Sequence, residues 1–408
     1  GSCARAVARV QEWSSASSMP VPSASSASFV TARKALPVEM LQAVNRSLCD
    51  QLDRELPAAG LWRGLRVKAE DGTSAQMPDT PANQEAYPQP SGQEEGCGFP
   101  VIGLSGLIDL GHGGLRDFAG SSVETGEMRG HDQLEGYLGE GDLHVGDRAF
   151  SSYEVVARDK MMGVEYIGRN HQARKLDFRR GSKLGPDERV QTWVKPRQQP
   201  ALSRLGKGEW DALPGEIEMR IIRTRGPDRD GVQQTRYVVS TLLDPARYPA
   251  DEVAPIYIHR WEIELRCRDI KTTMGMELLR TKTPEMVHEE VLMHMIVYNA
   301  IRLLMLKAGN AFGVSHRRIS FKGVVQVLGE SHVTFAGVMG KPRLEASAKS
   351  RLLERIAERV VRERPGRNEP RKKKRRPKSY GWLQKPRHSY FEHFRCEIPP
   401  RRILDECA

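Results

Sequence analysis

Apolar residues recur every three to four positions over residues 31–58, at Leu36, Met40, Leu41, Val44, Leu48 and Leu52, and predict a helix that packs against the next domain. The period then falls to two. Residues 63–73 alternate apolar and charged positions and break at Asp71-Gly72, which predicts a strand ending in a turn. Residues 99–104 and 107–110 read as two short strands before a Gly-rich turn at 111–114, and 135–138 as part of a helix. Residues 153–162 look helical, and 163–168 form a strand that delivers Arg169, Asn170 and His171 to its end. From 172 to 250, Gly and Pro punctuate three β-like runs, 189–194, 217–224 and 235–242. The alternation over 190–194 favours one buried face.

A longer helical pattern comes next. Ile256, Ile263, Ile270 and Met274 recur at helical spacing, and residues 257–271 contain neither Gly nor Pro. At about 100° per residue, Tyr257, Arg260, Glu264 and Lys271 share an arc of roughly 60°, set roughly 90° from the isoleucine seam. Glu262 lies about 200° round from Glu264 and faces elsewhere. One helix therefore buries a seam and, beside it, presents a carboxylate flanked by two cations and a phenol. A solvated face laced with salt bridges has the same spacing. Residues 291–306 are interrupted by His294, Asn299 and Arg302 and read as a buried core helix, with Thr283 as N-cap and Pro284 at its first position. Helices are also expected to end near Ala308, to run from 315 to 328 behind the basic lead His316-Arg317-Arg318, and to cover 349–364.

The 408 residues suffice for two or three domains, each with its own core. A formal charge of +11 favours a polyanionic partner, nucleic acid first and an anionic membrane surface second. Much of that charge sits in residues 362–387, where twelve Lys and Arg, among them Arg371, Lys372, Lys373, Lys374, Arg375 and Arg376, face only Glu363 and Glu369. Such blocks are solvated, serve as localisation tags or bind phosphate. The six cysteines are scattered with no Cys-x2-Cys pair, which argues against a zinc site and fits a reducing compartment. No stretch reads as a signal peptide or holds 18 uninterrupted apolar residues. The Ser- and Ala-rich residues 1–30 read as flexible, and Gly1 in place of Met as a fragment boundary.

The spacing Tyr-x2-Arg-x3-Glu-x6-Lys, here Tyr257, Arg260, Glu264 and Lys271, resembles the signature of bacterial cut-and-paste transposases of the insertion sequence 4 family. Other stretches carry the same resemblance: Asp71-Gly-Thr with the run 78–93, Asp147-Arg-x-Phe-x-Ser-Tyr, residues 277–284, and the flanks of the basic run at 364–371 and 377–383. The family would make the strand before Asp71 nearly all apolar, so Lys68 and Glu70 suggest a weakened or degenerate copy. Its DNA-end-binding region, which would precede residue 60, looks short or missing.

The resemblance implies a ribonuclease H-like α/β core interrupted by an all-β insertion, with a basic helical C-terminal extension. The corresponding boundaries are 1–60 for the N-terminal region, 61–171 and 251–310 for the core, 172–250 for the insertion and 311–408 for the basic region. It also implies a catalytic, metal-binding trio of Asp71, Asp147 and Glu264, converging to hold two Mg²⁺ or Mn²⁺ ions. Tyr257, Arg260 and Lys271 would grip DNA, as would Arg169, for which a plain surface arginine is the alternative. The basic run would bind phosphate without regard to sequence. Trp193 or Trp210 could stack an extruded base, or simply pack in a core. The implied activity is cleavage of double-stranded DNA at insertion-sequence ends and strand transfer into target DNA. A homodimer assembled on DNA would carry it out, in the bacterial cytoplasm at the nucleoid, away from membranes. Two alternatives stand beside it: a decayed, non-catalytic DNA-binding protein, and a general nuclease of the same fold.

Overall fold

The computed structural model describes residues 31–123, 128–171, 174–201, 203, 205–227, 233–362, 386 and 389. Among these, nine strands form: β1 (Arg66–Gln76), β2 (Val101–Asp109), β3 (Leu115–Ser122), β4 (Asp142–Gly146), β5 (Glu165–Arg169), β6 (Ser182–Gly185), β7 (Glu188–Val194), β8 (Glu216–Pro227) and β9 (Gln233–Ser240). They join one mixed sheet in the order β3-β2-β1-β4-β5-β9-β8-β7-β6. β1, β4 and β5 run parallel at its centre, and every other pairing is antiparallel. The described helices are α1 (Val38–Glu55), α2 (Pro81–Ala86), α3 (Met128–Leu134), α4 (Tyr153–Met161), α5 (Lys207–Ala212), α6 (Ala250–His259), α7 (Trp261–Arg268), α8 (Pro284–Phe312), α9 (Phe321–Val338) and α10 (Pro342–Ala357).

Side chains on successive strand residues point to opposite faces, and the sheet divides its two cores accordingly. Val67, Ala69, Leu143, Val145 and Ile167 face the main core with Ile263, Ile270 and the inner side of α8. On the other face, Tyr166, Ile217, Met219 and Val239 pack with Tyr153 and Val156 of α4, Trp193 and Trp210. α8 is long and apolar enough to cross a bilayer, but 61% of its most apolar window is buried inside the protein. Its three polar interruptions explain themselves in part. Asn299 donates to Leu115 O and accepts from Leu115 N, both at 2.8 Å, and Arg302 donates to His112 O at 2.7 Å. A left-handed Gly313 ends the helix at φ 65°, a conformation that glycine adopts without a Cβ penalty.

Several expectations change. β1 does not stop at Asp71-Gly72 but continues to Gln76, because β2 pairs along its whole length and supplies hydrogen-bond partners where β4 has ended. The two strands expected over 99–110 are a single strand, β2. Gly106 lies inside it, directly beneath the Phe118 ring, where a Cβ would come within 2.5 Å. On α1 the buried stripe is Leu41, Asn45, Cys49 and Leu52, while Met40 and Val44 are exposed. Asn45 belongs inside because it donates to Arg116 O at 2.9 Å and accepts from Asn299 at 2.7 Å. The helix over 315–328 starts at Phe321 after a single 3₁₀ turn and runs on to Val338, and the charged C-terminal helix lies at Pro342–Ala357. β6, β3 and α5 escaped the sequence pattern.

The charges on β1 are paired. Lys68 donates to Tyr137 O and Asp142 Oδ2, both at 2.6 Å, and Glu70 Oε2 accepts from His131 Nδ1 at 2.7 Å. All four side chains are nearly or fully removed from water, and a buried charge of this kind is tolerated when it is paired.

Candidate active site

The parallel ladder pairs Arg66 with Asp142 and Ala69 with Val145, a constant offset of 76 residues. Carried two positions past Ala69, the same register sets Asp71 beside Asp147, immediately after the last residue of β4. The next ladder pairs Leu143 with Glu165 and Gly146 with Gly168, an offset of 22, so Arg169 stands in the same row. Asp71, Asp147 and Arg169 thus share one row, level with the C-terminal ends of β4 and β5 and in the middle of the longer β1. All three are odd-numbered positions in register with Ala69, Val145 and Ile167, whose side chains face the main core. β1 outruns β4 here, which leaves one side of Asp71 open.

Helical residues 250–273 cross that opening. The helix is not uniform: α6 gives way at Arg260 to α7, and Asp269–Thr273 forms a π turn. Backbone angles at Arg260 (φ −49°, ψ −34°) remain helical, so the isoleucine seam survives, with Ile263 and Ile270 fully buried and Ile256 packed at its edge. The seam anchors the helix and turns the signature residues toward the strand ends. Arg260 Nη1 donates to Asp71 Oδ2 at 3.0 Å, and Nη2 lies 3.8 Å from Glu264 Oε1. The Tyr257 hydroxyl donates to Asp147 Oδ1 at 3.4 Å. Asp71, Gly72, Thr73, Glu264, Cys267 and Lys271 line a cleft of about 330 Å³. Glu262 points away, to His259, Arg266 and Arg317.

This crowding sets the electrostatics. Burial raises the Asp71 carboxyl above its ordinary value and outweighs the Arg260 charge and the Gly72 N–H, which act the other way, while Asp147 adds to the rise. For Arg260, burial is overcome by the Asp71 and Asp147 charges, which hold the guanidinium firmly protonated. Burial raises Tyr257, and the Asp147 charge adds to it. Burial and the neighbouring Arg148 lower Arg169. Cys267, buried in the cleft wall, is pushed up to about 12 by desolvation and then by the Asp71 charge, so it is a neutral thiol and no nucleophile.

Among the described residues, Asp71, Asp147 and Glu264 are not a set whose ligand oxygens all lie within 4.8 Å of one another. The Arg260 guanidinium sits among them, contacting two and raised by the charge of the third. The sequence overlooked the closing wall of the cleft. Past the π turn, Glu277 lines it, and Gln76 donates to Glu277 O at 3.1 Å while Leu279 donates back to Gln76 O at 2.8 Å. Only the unexpected extension of β1 makes that contact. Trp193 and Trp210 are both 5% exposed, and Arg174 covers the Trp193 ring at 3.3 Å from its centroid, so both belong to a core. Arg371, Lys372, Lys373, Lys374, Arg375 and Arg376 lie outside the described residues, as do Tyr380 and Trp382.

Residues 62–300 match a family model described as the transposase DDE domain. The chain belongs to the DDE transposase family. It is 27% identical over 323 residues to the transposase InsG for insertion sequence element IS4 of Escherichia coli (strain K12), spanning 74% of this chain and 69% of that protein. This likeness agrees with the Tyr-Arg-Glu-Lys spacing and makes the protein an insertion sequence 4 type transposase, an enzyme of DNA cleavage and strand transfer. A solved piggyBac transposase synaptic complex with hairpin DNA is similar with a TM-score of 0.39 and 10% identity. That match covers 74% of this chain and 59% of that one. Use of a divalent metal follows from the family.

Proposed function

We propose that the transposase cuts double-stranded DNA at insertion-sequence ends and joins them to target DNA, with Asp71, Asp147 and Glu264 holding two Mg²⁺ or Mn²⁺ ions. The observation that carries this is the row of Asp71 and Asp147 across β1 and the end of β4, with Glu264 set by the helix across the cleft from Asp71 and Tyr257 of the same helical stretch bonded to Asp147. The strand order β3-β2-β1-β4-β5, with β1, β4 and β5 parallel, supports a ribonuclease H-like core. On that reading residues 61–171 and 251–310 form the core, 172–250 an insertion that extends its sheet, and 311–408 a basic region. Three hard carboxylates suit Mg²⁺ or Mn²⁺, and the raised Asp71 carboxyl is one whose ionised form a cation would stabilise. When bound, the ions lower the pKa of an attacking water or 3′-hydroxyl and stabilise the leaving oxygen.

The chain's own side chains do the positioning. Arg260 lies beside Asp71 and Glu264, and its paired N–H donors are the ones that would grip a DNA phosphate there. Lys271, on the cleft wall, adds a point charge for a second phosphate, and Arg169 extends the cationic row past Asp147. Tyr257 holds the Asp147 carboxylate through its hydroxyl and so fixes one donor. Two ends are cut and joined together, which calls for a dimer assembled on DNA.

The non-catalytic reading drew on the polar strand at 66–70 and on the short N-terminal region, and the pairing of Lys68 and Glu70 speaks against the first of these. The deciding experiment is Mg²⁺-dependent nicking of DNA bearing the element's ends, compared with DNA lacking them. Cleavage confined to the end-bearing substrate and abolished by Glu264→Gln is expected. Equal cutting of both substrates means a general nuclease, and binding without cutting a DNA-binding relic.

A further inference from the structure

On the opposite face of β1 from Asp71, a second group of chemically active side chains is enclosed. Glu70 of β1, His144 of β4 and His131 of α3 have no exposure to solvent, and their ligand atoms all lie within 4.8 Å of one another. His144 Nδ1 donates to Asp159 Oδ2 of α4 at 2.7 Å. That bond turns the other ring nitrogen, Nε2, toward β1. His144 Nε2 faces Glu70 Oε2 at 3.7 Å, too far for a hydrogen bond. His144 Nε2, His131 Nε2, Glu70 Oε1 and Asp159 Oδ1 have no hydrogen-bond partner. Burying polar atoms without partners is costly, and of these four it is His144 Nε2 that faces Glu70 Oε2.

We infer that Glu70, His131 and His144 bind a divalent transition-metal ion of the Zn²⁺ class, at a site separate from the catalytic carboxylates. Two imidazoles and a carboxylate are a donor set that Zn²⁺ takes, whereas Mg²⁺ prefers oxygen alone. Donors at about 2.0–2.1 Å from a tetrahedral ion lie roughly 3.3 Å apart. The separations of Glu70 Oε2 from His131 Nδ1 and His144 Nε2, 2.7 and 3.7 Å, bracket that spacing. Asp159 behind His144 is the outer carboxylate that orients a ligating imidazole and strengthens it as a donor. The scattered cysteines argue against a zinc site, but these three donors include no thiolate. Its place explains its use: Glu70 adjoins Asp71, and His144 lies three residues before Asp147. The ion would tie β1, β4 and α3 together directly behind the row of aspartates.

The test is the metal content of the full-length chain, purified without chelator after growth with added Zn²⁺ and dialysed against excess Mg²⁺. Elemental analysis is expected to find about one Zn²⁺ per chain. Glu264→Gln, in the other site, should keep it, and His144→Asn should lose it. Should His144→Asn fail to fold, Asp159→Asn retains all three donors and is expected to weaken Zn²⁺ binding about 10–100-fold in a chelator competition. Substituted Co²⁺ should show visible absorption typical of tetrahedral nitrogen and oxygen ligation. A folded protein that dialyses free of Zn²⁺ would overturn the inference and leave an imidazolium–carboxylate network only. So would a folded His144→Asn or Asp159→Asn that holds the ion as tightly as wild type, or a Glu264→Gln that loses it.

Discussion

Asp147, one step past the end of β4, lies where the 76-residue offset of the β1–β4 ladder, carried on from Ala69 and Val145, sets it beside Asp71, and its charge acts on the Asp71 carboxyl. Neither residue could be shifted by one without turning its carboxylate to the opposite face of the sheet. The register of β1 against β4, set by the apolar residues Val67, Ala69, Leu143 and Val145, is therefore what aligns the two acids.

Asp71→Asn should abolish cleavage and yet stabilise the fold at neutral pH. Burial raises the Asp71 carboxyl in the folded state, so folding favours its protonated form and the ionised form costs stability. That cost is absent below the ordinary carboxylate value of about 3.9 and develops as pH rises through the folded value. Melting temperatures of wild type and variant should coincide at low pH and separate as pH rises, with the variant higher. A variant that melts lower at pH 7 contradicts the assignment.

Arg260→Ala should separate metal binding from DNA cleavage. The guanidinium competes with a cation for Asp71 and Glu264, so its removal should tighten Mn²⁺ binding by the DNA-free protein. Cleavage should fall even so, because the phosphate grip is gone. Mn²⁺ titration followed by electron paramagnetic resonance, beside a nicking assay, checks both halves.

Ile263→Ala removes a fully buried side chain from the seam that anchors the signature helix. Its cost should be about 2–5 kcal/mol in urea unfolding, the range for such truncations in a packed core. Glu264 is the next residue in sequence, so cleavage should decline well below the unfolding midpoint.

Asn299→Ala should strand the Leu115 N–H and the Asn45 amide oxygen and leave Leu115 O with only the weak Cys49 Sγ donor, on the path from α8 to β3 and α1. Each buried group left without a partner costs about 1–3 kcal/mol. Chemical denaturation measures the loss, and Asn299→Asp should recover only the bond from Leu115 N.

Replacing Arg371, Lys372, Lys373, Lys374, Arg375 and Arg376 by alanine should weaken binding to DNA of any sequence. The slope of log affinity against log salt should flatten by about 0.9 for each phosphate that is no longer neutralised. An unchanged slope in a binding titration assigns the run to another task.

Local chemistry made much of this protein legible before any fold was known. The seam at Ile263 and Ile270, the spacing from Tyr257 to Lys271, the strand before Asp147 and the core helix starting at Pro284 are each written in residues close along the chain. Periodicity reports which face of an element is buried, and here it reported correctly for α7 and α8. It failed on α1, where Asn45 is inside, and on β1, where Lys68 and Glu70 are, because partners distant in sequence satisfy those groups. It also ended β1 at Asp71-Gly72, since an Asp-Gly pair looks the same in a turn as in a strand whose next hydrogen bonds come from β2. Which side of Asp71 stays open, that Arg260 stands among three acids, and that Glu70 meets two histidines from elsewhere are matters of long-range pairing. Sequence spacing sets which side chains share a face of one element, whereas the register between elements decides which of those faces meet.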